Sequence, residues 1–122
     1  GEKEDKLNDS GLRSKIIDHD MNSQAFALTL KRSAEESKKS NQGPSAASSI
    51  FKYYGTEHNK LRYEIMLEAM GTKALGWDGN EFGPEELAIT REWLRTKANS
   101  IEGGTSEVQL NVISKRVLEL PQ

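Results

Sequence analysis

Between Leu12 and Leu30 the chain reads LRSKIIDHDMNSQAFALTL, and its apolar and aromatic positions recur at helical spacing. Leu12, Ile16, His19, Ser23, Phe26 and Leu30 step by four, three, four, three and four, which keeps one face of an α-helix in register. Ile17, Met21, Ala25 and Leu28 are expected to widen that stripe, and Lys15, Asp18, Asn22 and Lys31 to cover the opposite face. The pattern predicts a helix that frays over Glu35–Lys39 and stops before Gly43.

A second helix is expected to start at Gly43-Pro44, because proline at the first helical position lacks only an N–H that would have no partner there. Its stripe is Ala47, Ile50, Phe51, Tyr54, His58, Leu61, Ile65 and Ala69, and Gly71 suits a left-handed end. Two helices of this length joined by a short linker should pack antiparallel. Residues 71–83 hold four glycines and read as an irregular loop with Trp77 as an anchor. Pro84 opens a shorter third helix, with Glu85 and Glu86 in the first turn and an apolar side of Leu87, Thr90, Leu94 and Ala98. Thr105 is a good N-cap for a last helix with the stripe Val108, Val112 or Ile113, Val117 and Leu120, stopped by Pro121. No segment alternates with period two. The expected fold is all-α: an antiparallel up-and-down helical bundle of two long and two shorter helices over 11–122, preceded by a flexible lead-in at 1–10.

Composition narrows the function. Of 122 residues 34% are hydrophobic and 30% charged, polar for a globular domain, yet the apolar ones are too regularly spaced for disorder. A formal charge of -2 offers no basic surplus for nucleic acid. The absence of cysteine excludes thiolate nucleophiles, disulfides and Cys-ligated zinc, and His19 and His58 are too few for most metal sites. Both histidines lie on apolar stripes and read as packed core residues. Lys31, Arg32, Lys38 and Lys39 form a basic patch that Glu35 and Glu36 interrupt, so it reads as a solvated face. Tyr53, Tyr54 and Trp93 read as packing or subunit-contact aromatics. No apolar run reaches the ~20 residues of a membrane span, and no signal peptide opens the chain. A single-domain protein of a reducing compartment, the cytoplasm, is the expectation.

The chemistry concentrates in residues 101–113, Ile-Glu-Gly-Gly-Thr-Ser-Glu-Val-Gln-Leu-Asn-Val-Ile, followed by Lys115-Arg116-Val117-Leu118 and Leu120-Pro121. Gly103 and Gly104 let the backbone approach a ligand without Cβ obstruction. A helix then begins, whose first N–H groups and positive dipole end suit phosphate or pyrophosphate. An ordinary Gly–Gly turn with a Thr N-cap fits the same residues.

The segment closely resembles the C-terminal signature of the acyl-CoA dehydrogenase family. Leu75-Gly76-Trp77-Asp78-Gly79 and Arg91-Glu92-Trp93-Leu94-Arg95 also resemble its bacterial branch, so the likeness runs from about Ile16 to the C-terminus. The resemblance implies the C-terminal domain of an FAD-dependent enzyme that oxidises the Cα–Cβ bond of acyl-CoA thioesters and passes electrons to an electron-transfer flavoprotein. It implies that Thr105, Ser106 and Glu107 touch FAD and that Gly103 and Gly104 line the acyl-CoA substrate. Glu68 and Gly71 correspond to a Gln–Gly pair that helps hold the FAD of a neighbouring subunit, with Glu in place of Gln. A homo-oligomer, dimer or tetramer, is implied as well.

The catalytic base departs from the family string. Aligned on Gly104-Thr105, Gly103 stands where one large group carries glutamate, and Glu102 stands where tyrosine is usual. Glu102 can act as base from one position upstream, the base can come from a preceding helix not present here, or the member does other chemistry, as an oxidase or monooxygenase relative. The family's N-terminal and middle β-domains have no counterpart in 1–122, so a C-terminal portion of a longer enzyme, inactive alone, is expected. A stand-alone helical oligomerisation module without flavin is the alternative of a different class.

Overall fold

A computed structural model describes residues 2–3, 6–41 and 47–121. Glu2–Lys3 (β1) and Lys6–Leu7 (β2) form a short antiparallel pair, Glu2 opposite Leu7 and Lys3 opposite Lys6, within the stretch expected to be a bare lead-in. Four helices follow: α1 (Ser10–Ser40), α2 (Ala47–Met70), α3 (Pro84–Asn99) and α4 (Ser106–Val112). A 3₁₀ turn at Gly71–Leu75 follows α2, and a π-helical turn at Ile113–Val117 continues α4. The all-α architecture is the expected one.

Asp9 caps α1 three residues ahead of the first stripe position, its Oδ1 accepting from the Leu12 amide at 3.0 Å. The helix does not fray over Glu35–Lys39. Arg32 pairs with Glu36 at 2.8 Å, Lys38 and Lys39 sit in the last turn where the dipole favours cations, and Asn41 ends it at φ 53°. The expected start of the second helix at Gly43-Pro44 lies outside the described residues.

Contacts between α1 and α2 run in opposite directions along the two helices, which defines an antiparallel hairpin. Lys15 reaches Glu68 at 2.7 Å, His19 meets His58, and Phe26 packs on Tyr54 and Phe51 with ring centroids 4.9 and 6.2 Å apart. Gly55 admits that packing, since a Cβ there would lie 3.4 Å from the Phe26 ring. Ile17, Met21 and Leu28 do not widen the α2-facing stripe; they are 51, 62 and 68% exposed. At 100° per residue they fall on the side of α1 turned away from Leu12, His19 and Phe26. Among the described residues α1 packs on α2 and β2 and touches neither α3 nor α4.

Helix α2 is therefore the centre of the fold, with α1 on one side and α3 and α4 on the other. Leu12 and Ile65 are its most deeply buried large apolar residues. Pro84 opens α3 as expected, and the Glu86 carboxylate accepts from the Gly83 amide at 2.8 Å. Of the expected inward side, Thr90 is buried and Leu87 and Ala98 are half-buried, but Leu94 is exposed, and Thr96 and Trp93 turn inward instead. The threonines fit because each hydroxyl bonds a carbonyl, Thr90 to Ala74 at 3.2 Å and Thr96 to Trp93 at 2.6 Å. Trp93 Nε1 is buried with no partner among the described residues, while Lys97 stands 4.8 Å over the ring. The last helix also ends earlier than Pro121, since Glu119 takes φ 51° and Val108 and Leu120 stay about half exposed.

Candidate functional site

The turn from Ile101 to Thr105 is built by its glycines and fastened by α2. Gly103 and Gly104 take φ of 63° and 102°, a region that L side chains rarely adopt. Thr105 then caps α4, its hydroxyl oxygen accepting from the Val108 amide at 3.2 Å. Lys52 of α2 donates to the Gly104 carbonyl at 2.6 Å, and Gln109 Nε2 donates to the Gly103 carbonyl at 3.3 Å. Ser106 donates its hydroxyl to Glu57 of α2 at 2.9 Å. Glu57 also pairs with Lys60 at 2.9 Å, and Lys60 reaches the Ser100 hydroxyl at 3.3 Å.

Burial alone would raise the Glu57 carboxyl. Hydrogen bonds from Lys60 and Ser106, with the attraction of Lys60 and Lys97, outweigh it and hold the group below its ordinary value. Glu57 is thus an ionised acceptor for Ser106.

The helix that follows is short and its first turn is partly self-satisfied. The Ser106 amide bonds the Ser100 carbonyl at 3.0 Å and the Val108 amide bonds Thr105. None of the hydrogen bonds described uses the amides of Gly103, Gly104 or Thr105, whereas the carbonyls of Gly103 and Gly104 are both taken.

The other singled-out residues are dispersed. Glu102 is exposed and bonded to Arg95 Nη2 at 2.7 Å. Glu107 is exposed in the first turn of α4. Glu68 accepts from Lys15 through both carboxylate oxygens, at 2.9 and 2.7 Å, and Gly71 takes φ 60° with open space about it. Lys52, which holds the Gly104 turn, and Glu68 are sixteen residues apart on one helix, so the two stand roughly 24 Å apart along α2, with Gly71 further on. The structure brings Gly103, Gly104, Thr105, Ser106 and Glu107 together and leaves Glu68 and Gly71 at the far end of α2.

Sequence reasoning passed over Lys52, Glu57, Lys60, Arg95 and Gln109. Lys52, Glu57 and Lys60 fall off the apolar stripe of α2 and look like any solvated face. Gln109 and Arg95 had a signal, since both lie inside stretches quoted for the family resemblance. Among the described residues no group of three or more His, Cys, Asp or Glu side chains could hold a metal ion, and no helix is long and apolar enough to cross a membrane.

A hairpin of long helices, two shorter helices and a glycine turn clamped against α2 make up an all-helical domain. The family model for the acyl-CoA dehydrogenase C-terminal domain matches residues 3–118, and the chain belongs to that family. Comparison with curated proteins and with solved structures found no match.

Proposed function

We propose that the chain works as the C-terminal helical domain of an FAD-dependent acyl-CoA dehydrogenase, contributing flavin contacts and an oligomer interface. The observation that carries this reading is the family match running through a turn whose amides no described hydrogen bond uses while its carbonyls are tied to Lys52 and Gln109. Such a turn presents donors and withholds acceptors, which suits an anionic or carbonyl-rich ligand. The residues fit FAD: amides of Gly103 to Thr105 can donate to phosphate or ring carbonyl oxygens, and the exposed Glu107 carboxylate can accept from a hydroxyl. Bound FAD would supply the hydride acceptor. Gly103 and Gly104 would lie against the acyl-CoA thioester, and electrons would leave to an electron-transfer flavoprotein in the cytoplasm.

The roughly 24 Å along α2 between Lys52, which holds the Gly104 turn, and Glu68 is too far for both ends to hold one part of one flavin within a single chain. It supports a reading in which Glu68 and Gly71 meet the flavin of a neighbouring copy. In this arrangement Glu68 would have to release Lys15, or present its pair with Lys15 as a unit.

The α-proton of the substrate falls either to Glu102 or to a carboxylate outside residues 1–122. The ion pair of Glu102 with Arg95 and the missing side chain at Gly103 favour the second. The test is to express the full reading frame that contains this chain. A yellow protein whose flavin is bleached by acyl-CoA supports the reading, and a colourless protein overturns it. In the same protein Glu102→Gln should leave flavin reduction near normal; abolished reduction would assign the base to Glu102.

A further inference from the structure

We infer that the stacked imidazoles of His19 and His58 form a proton-operated clasp between α1 and α2, closed while both rings are neutral, weakened by the first added proton and loosened furthest when both are charged. The two rings lie 3.8 Å apart between centroids and 3° from parallel, across the seam of the hairpin. They are half-buried and hydrogen-bonded, not the apolar packing residues that their stripe suggested.

The hydrogen bonds assign the neutral rings. His19 Nε2 lies 3.1 Å from the His58 carbonyl oxygen, which can only accept, so that nitrogen carries a proton. Ser23 donates its single hydroxyl proton to the His19 carbonyl at 2.8 Å. Its oxygen is then left to accept from His58 Nε2 at 2.7 Å, so this ring also carries its proton on Nε2. An added proton must go to Nδ1 in either ring, and neither Nδ1 has a protein partner among the described residues. Two added protons would put two cations face to face.

The surroundings do not neutralise that pair. Asp20 and Arg62 line a cavity of about 310 Å³ that opens on His19, and Glu57 lines one of about 320 Å³ that opens on His58. Asp20 accepts from Gln24 at 2.9 Å, Glu57 is taken by Lys60 and Ser106, and Arg62 adds positive charge. From α3, Lys97 acts on Glu57; further along the seam Lys15 and Glu68 satisfy each other. Tyr54, stacked 5.5 Å from His58, offers its face to a cation. One aromatic face at that range is weaker than a like charge at 3.8 Å. Burial first, and the charge of His19 second, hold His58 below its ordinary value of 6.5. A histidine depressed in the folded state leaves stability intact above about pH 6.5 and removes it as pH falls from there through the folded value.

The experiment uses the whole chain with ¹⁵N-labelled histidine, followed by long-range ¹H–¹⁵N spectra from pH 8 to pH 4.5. The expected result is Nε2–H in both rings at pH 8 and a His58 midpoint below 6.5, each unit of depression corresponding to about a tenfold loss in the closing equilibrium. Two independent titrations at the ordinary value would overturn the proposal. His19→Phe keeps a stacked ring and removes one charge. Between pH 7.5 and 5.5 the melting temperature of the wild type should fall, with lost amide protection confined to α1 and the α1-facing side of α2, while that of His19→Phe stays flatter. Parallel pH profiles in the two proteins would sink the idea, and should His19→Phe fail to fold, the wild-type spectra decide alone.

Discussion

The ammonium of Lys52 sits 2.6 Å from the carbonyl oxygen of Gly104, so a side chain near the start of α2 holds a turn that lies 52 residues further along the chain. This bond ties the turn to α2. Lys52→Met keeps the aliphatic stem and removes the donor. A hydrogen bond to a charged group contributes roughly 1.5–3 kcal/mol, and half-burial places this one near the lower end, so about 1–2 kcal/mol should be lost in urea unfolding. The amide signals of Gly103 to Ser106 should broaden in NMR spectra. A variant unchanged in both would show that the turn holds its shape without Lys52.

The two glycines of the turn should respond differently to alanine. At Gly103 a Cβ would meet nothing within 4 Å, so Gly103→Ala carries only the left-handed backbone strain of about 1–2 kcal/mol. At Gly104 a Cβ would lie 2.7 Å from Gln109 Nε2, the atom that bonds the Gly103 carbonyl. Gly104→Ala should therefore cost more than Gly103→Ala in thermal unfolding. Equal costs would mean that Gln109 moves aside freely.

Gly76 is constrained by packing instead of conformation. Its φ of −77° suits any residue, but a Cβ would fall 2.4 Å from the Phe82 ring. Gly76→Ala should destabilise by about 1–3 kcal/mol, typical of an overpacked site. The double variant Gly76→Ala with Phe82→Ala should lose less stability than the sum of the two single losses, read as a double-mutant cycle, because removing the ring removes the clash.

Acid should weaken the fold through two carboxylates. Glu57 is held down as described, and Glu86 is held down by the Gly83 amide first and by Lys73, 2.9 Å away, second. Depressed acids contribute stability above their ordinary value of 4.5 and lose it as pH falls through the folded value. Melting temperatures taken from pH 6 to pH 3 should fall in the wild type and less steeply in Glu57→Gln and Glu86→Gln. Glu57→Gln and Glu86→Gln leave both histidines in place, so the part of the fall that they flatten belongs to the carboxylates.

The outer face of α1 should drive self-association. Ile17, Met21 and Leu28 are exposed along one side of a helix that no second layer covers among the described residues. Sedimentation should show oligomers whose population drops in Met21→Glu. A wild-type chain that sediments as a monomer at all concentrations would remove the oligomer interface from the proposed function.

The sequence determined by itself what depends on neighbours along the chain. Helical spacing, the proline that opens α3, the Thr105 cap and the glycines that allow positive φ are all local, and all are found in the structure. The quoted segment at 101–113 was enough to place the family. What only the tertiary structure decided is which faces meet. Period alone did not separate Ile17, Met21 and Leu28 from the stripe that packs on α2, because a helix with two apolar sides reads as one wide stripe. The pairs Lys52–Gly104 and Glu57–Ser106, 52 and 49 residues apart, depend on the register and tilt of α2 against α4. Polar residues on such a face carry no periodic signal, since a hydrogen bond needs one matched partner and not a repeated one. The same holds for His19 and His58: their stripe positions were legible, and their stacking was set by the hairpin register alone.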